Sequence, residues 1–475
     1  MDAASASLMA DGVDDDDRRK LVAAGAGAGG DDVLDEADLD GHAAGGGKGH
    51  ADGGDPDAPA SFGESARLVA TIVKSFIGSG VLFLPKAFAN GGWLFSVVMM
   101  VVAAVLTQVT IMRLVLCRDV VRGSYGMIGR RAVGPWGELA VDVSLVLSQA
   151  GFGMVYIIFI ARNVLQLVNA LSASCWLGSN WLWALIVAEF AIFWPLSLTR
   201  RIASFGPTNI AADVLIVGGL VGVLAYSISG MASEAAGGVA VSLPALNSAG
   251  WPLMLGTAVY AYEGIGMVLP VVDSLRPGMQ RAFGRVMMWT LVGVAGVYLV
   301  VGMVPYVYLA GMARVPMQDA VTLNLPRTWW AFAIMGAYCV ALAFSYPYML
   351  FPAIRIIEKG LARGGLLGAD AAGFVARRNA VRALVVATTL GIALVGAQQL
   401  NNFVSLIGAL ACTPLAFIYP CWFHLRLHPG ASLWMRASNV AIIVLGALVT
   451  VWSTWQAIAT WSVSPIDACI DNHAS

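Results

Sequence analysis

Eleven apolar stretches of 18–27 residues follow one another between residues 65 and 462, and they constrain the fold more than any other feature. A helix needs about 20 apolar residues to cross the hydrocarbon layer of a bilayer. Charged residues make up only 12% of the chain, whereas soluble domains carry about 25%. This composition excludes a soluble multidomain protein and predicts an all-α integral membrane protein with 11 transmembrane helices. The predicted spans are 65–89, 93–117, 137–163, 181–199, 206–229, 251–274, 284–309, 329–354, 380–397, 401–424 and 437–462.

The two ends of the chain differ from this apolar body. Residues 1–60 contain 15 Asp or Glu and 4 Lys or Arg, with many Gly and Ala. Such a segment buries too little apolar surface to offset the entropy of ordering it. We therefore expect a disordered acidic tail over 1–62, a membrane domain over 63–465 and a short C-terminal tail over 466–475.

The basic residues between the spans predict the orientation in the membrane. With the N-terminus in the cytoplasm, the cytoplasmic connections carry 15 Lys or Arg, and the opposite connections carry only Arg314 and Arg327. Basic residues are enriched in cytoplasmic loops. The pattern thus predicts a cytoplasmic N-terminus and a C-terminus on the other side of the membrane.

The first and sixth spans share a pattern that weakens a helix near its middle. Each contains Gly-x-Gly, at Gly78–Gly80 and Gly264–Gly266, followed a few residues later by Leu-Pro. Glycine lets the backbone leave helical geometry. Because the two patterns are five spans apart, two five-helix halves would have opposite orientations, as in an inverted repeat.

Unwound backbone is tolerated inside a membrane only where it lines a polar cavity. Freed N–H groups can bind a carboxylate and freed carbonyls can bind an ammonium group. A zwitterionic amino acid presents both charges, so the paired breaks predict a binding site, although glycines also serve helix packing. The candidate substrate-binding residues are Ile77, Gly78, Ser79, Gly80 and Val81 in the first span and Tyr260, Tyr262, Gly264, Ile265 and Gly266 in the sixth.

These motifs resemble those of the amino acid/auxin permease family. The resemblance rests on IVKSFIGSGVLFLPKAF at 72–88, GGW at 91–93 and YEGIGMVLP at 262–270, and it extends over about 65–462. It is greatest toward the vacuolar neutral amino acid transporters and the proton-coupled amino acid transporters. One position departs from some proton-coupled relatives, which carry His where this chain has Thr71.

The resemblance implies a leucine-transporter-like fold, a 5+5 inverted repeat with discontinuous helices 1 and 6. It also implies proton-linked movement of neutral amino acids by alternating access. In that fold the third and eighth spans complete the pocket. The residues that the resemblance adds to the site are Gln149, Phe152, Tyr156, Phe344 and Ser345.

Ionisable residues inside a membrane are costly and usually functional. Glu263 lies at the sixth-span break, where it either titrates with a coupling proton or caps freed N–H groups. Lys74 precedes the first break by one turn and either pairs with a carboxylate of another helix or gates the inner vestibule. We expect Lys86 and Arg162 to lie at the membrane interface, with their charges extended toward water.

The sequence also indicates what the chain does not do. No histidine has metal-ligand spacing, and no nucleotide-binding or hydrolase motif occurs, so we expect no enzyme activity, no cofactor and no nucleic acid partner. The expected driving ion is H⁺, with Na⁺ bound at Ser345 as the alternative. The prediction is a symporter in a vacuolar or other endomembrane, with the plasma membrane as the alternative. An amino acid sensor that signals through an unidentified partner of the acidic tail is the alternative function.

Overall fold

The computed structural model describes residues 62–172, 178, 181–199, 206–364, 366 and 374–461. Apart from Phe62, which begins the first helix, the predicted acidic tail lies outside the described residues, as does the predicted C-terminal tail. All the described residues belong to one compact unit. Their regular structure is entirely helical.

Sixteen α-helices occur among these residues, joined in places by short 3₁₀ and π segments. They are α1 (Phe62–Phe76), α2 (Leu84–Gly91), α3 (Trp93–Val121), α4 (Tyr125–Val133), α5 (Pro135–Leu171), α6 (Trp181–Ala188), α7 (Phe190–Ser197), α8 (Gly206–Ala236), α9 (Trp251–Ala261), α10 (Ile265–Asp273), α11 (Pro277–Tyr306), α12 (Trp329–Arg363), α13 (Phe374–Gly396), α14 (Leu400–Ile407), α15 (Tyr419–Leu427) and α16 (Leu433–Ala459).

Nine helical segments of the described chain are long and apolar enough to cross a membrane, and a tenth is obtained when the bent first span is counted as one. The predicted fourth span is α6 and α7, 17 residues interrupted at Glu189. At 1.5 Å per residue this helix is only about 25 Å long, shorter than the hydrocarbon layer of about 30 Å. The multi-pass architecture agrees with the sequence, whereas the count of 11 stays a prediction.

Three spans form the centre of the protein. Within the apolar 18-residue stretch of each span, the buried fraction is 72% for α5 and 78% for the sixth span, which consists of α9 and α10. It is 67% for the tenth span, Leu400–Leu427. The other long spans are 22–44% buried and present most of their apolar side chains outward. A helix that is apolar on all sides is expected in such a centre.

A glycine with positive φ and a capping serine determine where two of the helices start. Gly92 separates α2 from α3 with φ +85°, where a Cβ would lie 2.8 Å from the carbonyl oxygens of Pro244 and Ala245. The Ser124 hydroxyl accepts from Met127 N and caps α4. The turn at Gly92 therefore requires glycine and brings the loop before the sixth span against the end of the first.

Candidate functional site

The first span is broken at the predicted glycines. Helix α1 ends at Phe76, and the chain resumes as a 3₁₀ segment (Ser79–Phe83) that leads into α2. The two halves are bent by 49°. The backbone of Gly78, with φ −125° and ψ −148°, is not helical. The first N–H groups of the second half therefore point into the break, since the opening turn of a helix lacks acceptors within it.

The sixth span is broken without a sharp bend. Helix α9 ends at Ala261, and α10 begins at Ile265, so that Tyr262, Glu263 and Gly264 lie between them. Gly264 precedes α10 with φ −156° and ψ 2°, and no side chain caps the new helix. Like the first span, the sixth thus has a helix C-terminus and a helix N-terminus near its middle.

The two breaks lie against each other. A Cβ added to Gly80 would lie 2.9 Å from the Cα atom of Ala261, and a Cβ added to Gly264 would lie 3.0 Å from two ring carbons of Phe76. Each break therefore uses a glycine to let the other span approach.

Tyr298 of α11 joins the two breaks. Its hydroxyl oxygen is 2.6 Å from the Phe76 carbonyl oxygen and 2.8 Å from the Ala261 carbonyl oxygen. These are the last carbonyls of α1 and α9, and both carry the partial negative charge of a helix C-terminus. A tyrosine hydroxyl has one proton to donate. Tyr298 therefore shares a single donor between two carbonyls that would otherwise repel each other.

The third span contributes aromatic rings and a hydroxyl to the first half of the site. The Phe152 and Tyr260 rings have centroids 4.5 Å apart. The Ser79 hydroxyl oxygen is 3.4 Å from the Tyr260 hydroxyl oxygen, and the Tyr156 hydroxyl also interacts with Ser79. Phe83 meets the Tyr260 ring edge to face, with centroids 6.2 Å apart. Three hydroxyls and four rings thus cluster at the 3₁₀ segment.

Gly78 differs from the other glycines of the breaks. A Cβ placed on Gly78 would meet no atom within 4 Å, so the backbone at this point faces open space. The N-terminal end of the second half of the first span follows directly. Open space beside free N–H groups at a helix N-terminus is an arrangement that binds a carboxylate.

The tenth span supports the sixth from behind. A Cβ on Gly408 would lie 1.9 Å from the Gly256 carbonyl oxygen, so the two backbones are in direct contact. Two π segments, Gly408–Cys412 and Pro414–Ile418, follow in the tenth span beside the break. Such segments occur frequently at functional sites.

Glu263 is buried, and its Oε1 atom has no hydrogen-bond partner among the described residues. The side chain lies near Tyr125, Tyr260 and Cys412, which carry no positive charge. The capping role considered from the sequence is not seen in the described residues, because no hydrogen bond from a break N–H reaches this carboxylate. A buried carboxylate without a partner is costly when ionised.

Lys74 pairs with Asp213 of α8, with Nζ 2.8 Å from Oδ2. Both side chains are about 40% exposed, at 38% and 42%, so the pair contributes at most about 1 kcal/mol. Glu64, at the start of α1, pairs with Arg276 before α11. These two weak ion pairs attach the first half of the first span to its neighbours, on the side of the breaks that carries most of the basic loops.

The opposite side is covered by residues 313–328, between α11 and α12. Val321–Asn324 form a buried 3₁₀ turn, and Asp319 pairs with Arg162 of α5. Lys86 Nζ donates to the Met317 carbonyl oxygen at 2.8 Å. The expectation that Arg162 extends into the interface was wrong, because Arg162 is buried and this segment supplies its partner. For Lys86, which is half-buried, the interfacial position stays a prediction.

The remaining predicted site residues differ in their burial and in their contacts. Val81 and Ile265 are buried beside the breaks, Ile77 is half-buried, and a Cβ on Gly266 would meet only Leu145, at 3.5 Å. Tyr262 is buried, and its hydroxyl has no partner within the described chain. Gln149 lies on the same face of α5 as Phe152 and Tyr156, three and seven residues away.

The eighth span agrees less well with its predicted role. The structure does not bring Phe344 to the breaks: its side chain is 37% exposed and follows Val340, 47% exposed, one turn earlier on the outer stripe of α12. The Ser345 hydroxyl donates to the Ala341 carbonyl oxygen of its own helix. The buried residues Tyr338, Leu342 and Tyr346 mark the inward face of α12. Phe344 is two residues from Leu342 and from Tyr346, which puts it on the opposite face of the helix.

Sequence reasoning missed Tyr298 and Asp319. Tyr298 lies within a uniformly apolar span, and only its hydroxyl distinguishes it from its neighbours.

No group of three or more His, Cys, Asp or Glu that could hold a metal ion is present among the described residues.

The described chain is thus an all-helical, multi-pass membrane protein of the transporter class, with two broken spans in contact at its centre. It belongs to the transmembrane amino acid transporter protein family, whose model matches residues 63–459. This is a family of transporters and not of enzymes.

The chain is similar to named members of this family. It is 35% identical over 407 residues to vacuolar amino acid transporter 3 of Saccharomyces cerevisiae, covering 84% of this chain and 57% of that protein. It is 27% identical over 411 residues to amino acid transporter ANT1 of Arabidopsis thaliana, covering 82% and 91%. The chain therefore spans little more than half of the yeast relative.

Among solved structures, MhsT in complex with L-phenylalanine is 14% identical and covers 84% of this chain and 99% of its own, with a TM-score of 0.43. A score this low does not establish a common topology.

Proposed function

We propose that the protein is a secondary active transporter of neutral amino acids that works by alternating access around the paired breaks. The observation that supports this most is the convergence of two helix C-termini on Tyr298, with open space at Gly78 beside a helix N-terminus. The carboxylate of the substrate would bind the N–H groups that follow Gly78. The side chains at the breaks are aliphatic, aromatic or hydroxyl-bearing apart from Glu263, which suits an uncharged substrate side chain.

We further propose that transport is coupled to protons through Glu263. This carboxylate is buried at the break without a cationic partner in the described chain. Protonation removes the cost of its charge, so substrate occupancy and proton binding can favour the same conformation. The Tyr298 proton already serves two carbonyls that could otherwise hold a cation, which favours H⁺ over Na⁺.

We place the protein in a vacuolar or similar endomembrane with the N-terminus in the cytoplasm. The membrane is supported by the yeast relative, which is named a vacuolar amino acid transporter. The orientation is supported by the excess of basic residues in one set of loops. From an acidic lumen, protons would drive amino acids toward the cytosol.

The experiment is uptake of a panel of radiolabelled amino acids into proteoliposomes that contain the full chain, with and without an imposed pH gradient. We expect neutral amino acids to accumulate when the gradient is imposed. A Na⁺ requirement without any effect of pH would contradict proton coupling, and no uptake of any amino acid would contradict transport.

Replacing Glu263 with Gln should abolish proton-driven accumulation while exchange of labelled for unlabelled substrate survives. The amide keeps the shape of a protonated carboxyl but cannot release a proton. Glu189 provides the matched control, because it is also buried with an oxygen that lacks a partner in the described chain, but lies in the fourth span. Glu189→Gln should accumulate substrate normally. Loss of exchange as well as accumulation in Glu263→Gln would show a structural role instead.

A further inference from the structure

A guanidinium group lies inside the second span without a carboxylate partner. Arg113 of α3 donates from Nε to Asn439 Oδ1 at 3.1 Å and from Nη2 to Ser438 Oγ at 3.5 Å. Both partners are neutral, and no ion pair to Arg113 occurs among the described residues. The titratable groups that interact electrostatically with Arg113 include the thiols of Cys117 and Cys421 and the imidazoles of His424 and His428. The charge of Arg113 is therefore uncompensated within the described part of the protein.

Two histidines extend this cluster. Because Asn439 Oδ1 accepts from Arg113, its amide nitrogen must face His424, whose Nδ1 it approaches at 2.9 Å. The His424 ring stacks on His428, with centroids 4.5 Å apart. His428 Nδ1 is buried and has no hydrogen-bond partner among the residues described. The Ser438 hydroxyl donates its proton to the Met435 carbonyl oxygen at 2.8 Å. The cluster thus offers an unpaired cation and an unused imidazole nitrogen.

The three spans that form the cluster contain a single acidic residue. Residues 400–461, which form the tenth and eleventh spans, contain no Asp or Glu. In α3 the only carboxylate is Asp119, which pairs with Arg118. Arg426 and Arg436 add further positive charge to the same end of these spans. A counter-ion must therefore come from outside these three spans.

The cluster lies near the boundary between the hydrocarbon layer and the lipid headgroups. Helix α3 has 29 residues, so it is about 43 Å long and extends about 7 Å beyond each side of a hydrocarbon layer of about 30 Å. Arg113 precedes the end of α3 by eight residues, which places its Cα about 5 Å inside the hydrocarbon boundary. Beside it, Leu433 and Trp434 at the start of α16 are each 84% exposed, as expected of side chains at a membrane interface.

We propose that Arg113 and His428 form a binding site for a phosphate group, supplied by an anionic lipid headgroup or by free phosphate. Guanidinium groups bind phosphate oxygens through two parallel hydrogen bonds. Basic pockets between spans are known to hold anionic headgroups. The bound phosphate neutralises Arg113 and ties the second, tenth and eleventh spans together. This site is independent of the breaks and of the substrate.

The test is thermal unfolding of the full chain in a neutral detergent. Dioctanoyl phosphatidic acid should raise Tm by about 3 °C at saturation, whereas dioctanoyl phosphatidylcholine should leave Tm unchanged. Inorganic phosphate at the same concentration distinguishes the two sources: a smaller rise than with phosphatidic acid assigns the site to lipid, and an equal rise assigns it to free phosphate. An equal rise with phosphatidylcholine would overturn the proposal.

Two variants connect the response to the cluster. Arg113→Gln removes the cation and should reduce the rise in Tm at least threefold. Asn439→Asp places a carboxylate beside Arg113, so it should keep or raise Tm without lipid and likewise lose the response. Arg131→Gln, at an exposed arginine of α4, is the matched control and should respond like the unchanged protein. An undiminished response in Asn439→Asp would contradict the proposal, even if Arg113→Gln fails to fold.

Discussion

Replacing Tyr298 with Phe is expected to reduce transport by about tenfold or more and to lower Tm by several degrees. The ring and its packing remain, but the carbonyls of Phe76 and Ala261 lose their shared donor. Leaving a buried polar group unsatisfied costs about 1–3 kcal/mol, and 1.4 kcal/mol corresponds to about a tenfold change in an equilibrium. The two C-terminal ends also regain their mutual repulsion. The measurements are the initial uptake rate in proteoliposomes and Tm of the purified protein.

Tyr338 offers a closely matched control. It is fully buried, and its hydroxyl donates to the Ile216 carbonyl oxygen at 2.9 Å, away from the breaks. Tyr338→Phe should lower Tm by a similar or smaller amount and keep uptake within about twofold of the unchanged protein. Equal loss of uptake in both variants would show that Tyr298 acts only through general stability.

Replacing Gly80 with Ala should lower both Tm and uptake, since the new methyl group has no space. Its Cβ would lie 2.9 Å from the Cα of Ala261, and a backbone atom cannot rotate away as a side chain can. The first and sixth spans must then separate by several tenths of an ångström. Overpacking of this kind costs about 1–3 kcal/mol, which corresponds to a fall in Tm of several degrees and uptake reduced about tenfold.

Gly78 provides the control for the packing effect expected at Gly80. Gly78→Ala adds the same methyl group where no atom lies within 4 Å, so Tm should stay within about 1 °C of the unchanged protein. Equal Tm values for the two alanine variants would contradict the close approach of the two spans at Gly80.

Much of this arrangement could be predicted because it follows from local chemistry. Span positions follow from apolar length, and Gly-x-Gly followed by Leu-Pro marks where a helix is weakened. The roles of the individual glycines could not be read from the motif. Gly80 and Gly264 permit close approach, whereas Gly78 faces open space, and this difference depends on the opposing span.

Contacts between distant spans account for the rest. Tyr298 is 222 residues from Phe76, and Arg162 is 157 residues from Asp319. No spacing along the chain indicates such pairs. The outward position of Phe344 has the same origin, because the side of α12 that faces inward is set by its neighbours. The interruption of the fourth span at Glu189 was not predicted either.

Protection of Gly78→Cys from a thiol reagent tests most directly whether the amino acid binds between the breaks. The full chain in proteoliposomes is treated with a small methanethiosulfonate, and modification at residue 78 is quantified by mass spectrometry. The account predicts that a saturating amount of the best-transported amino acid slows this modification at least about tenfold. Thr71→Cys, two turns earlier on an exposed part of α1, should react at the same rate with or without it. Unchanged modification at residue 78, under conditions in which the amino acid is transported, would place its binding site elsewhere.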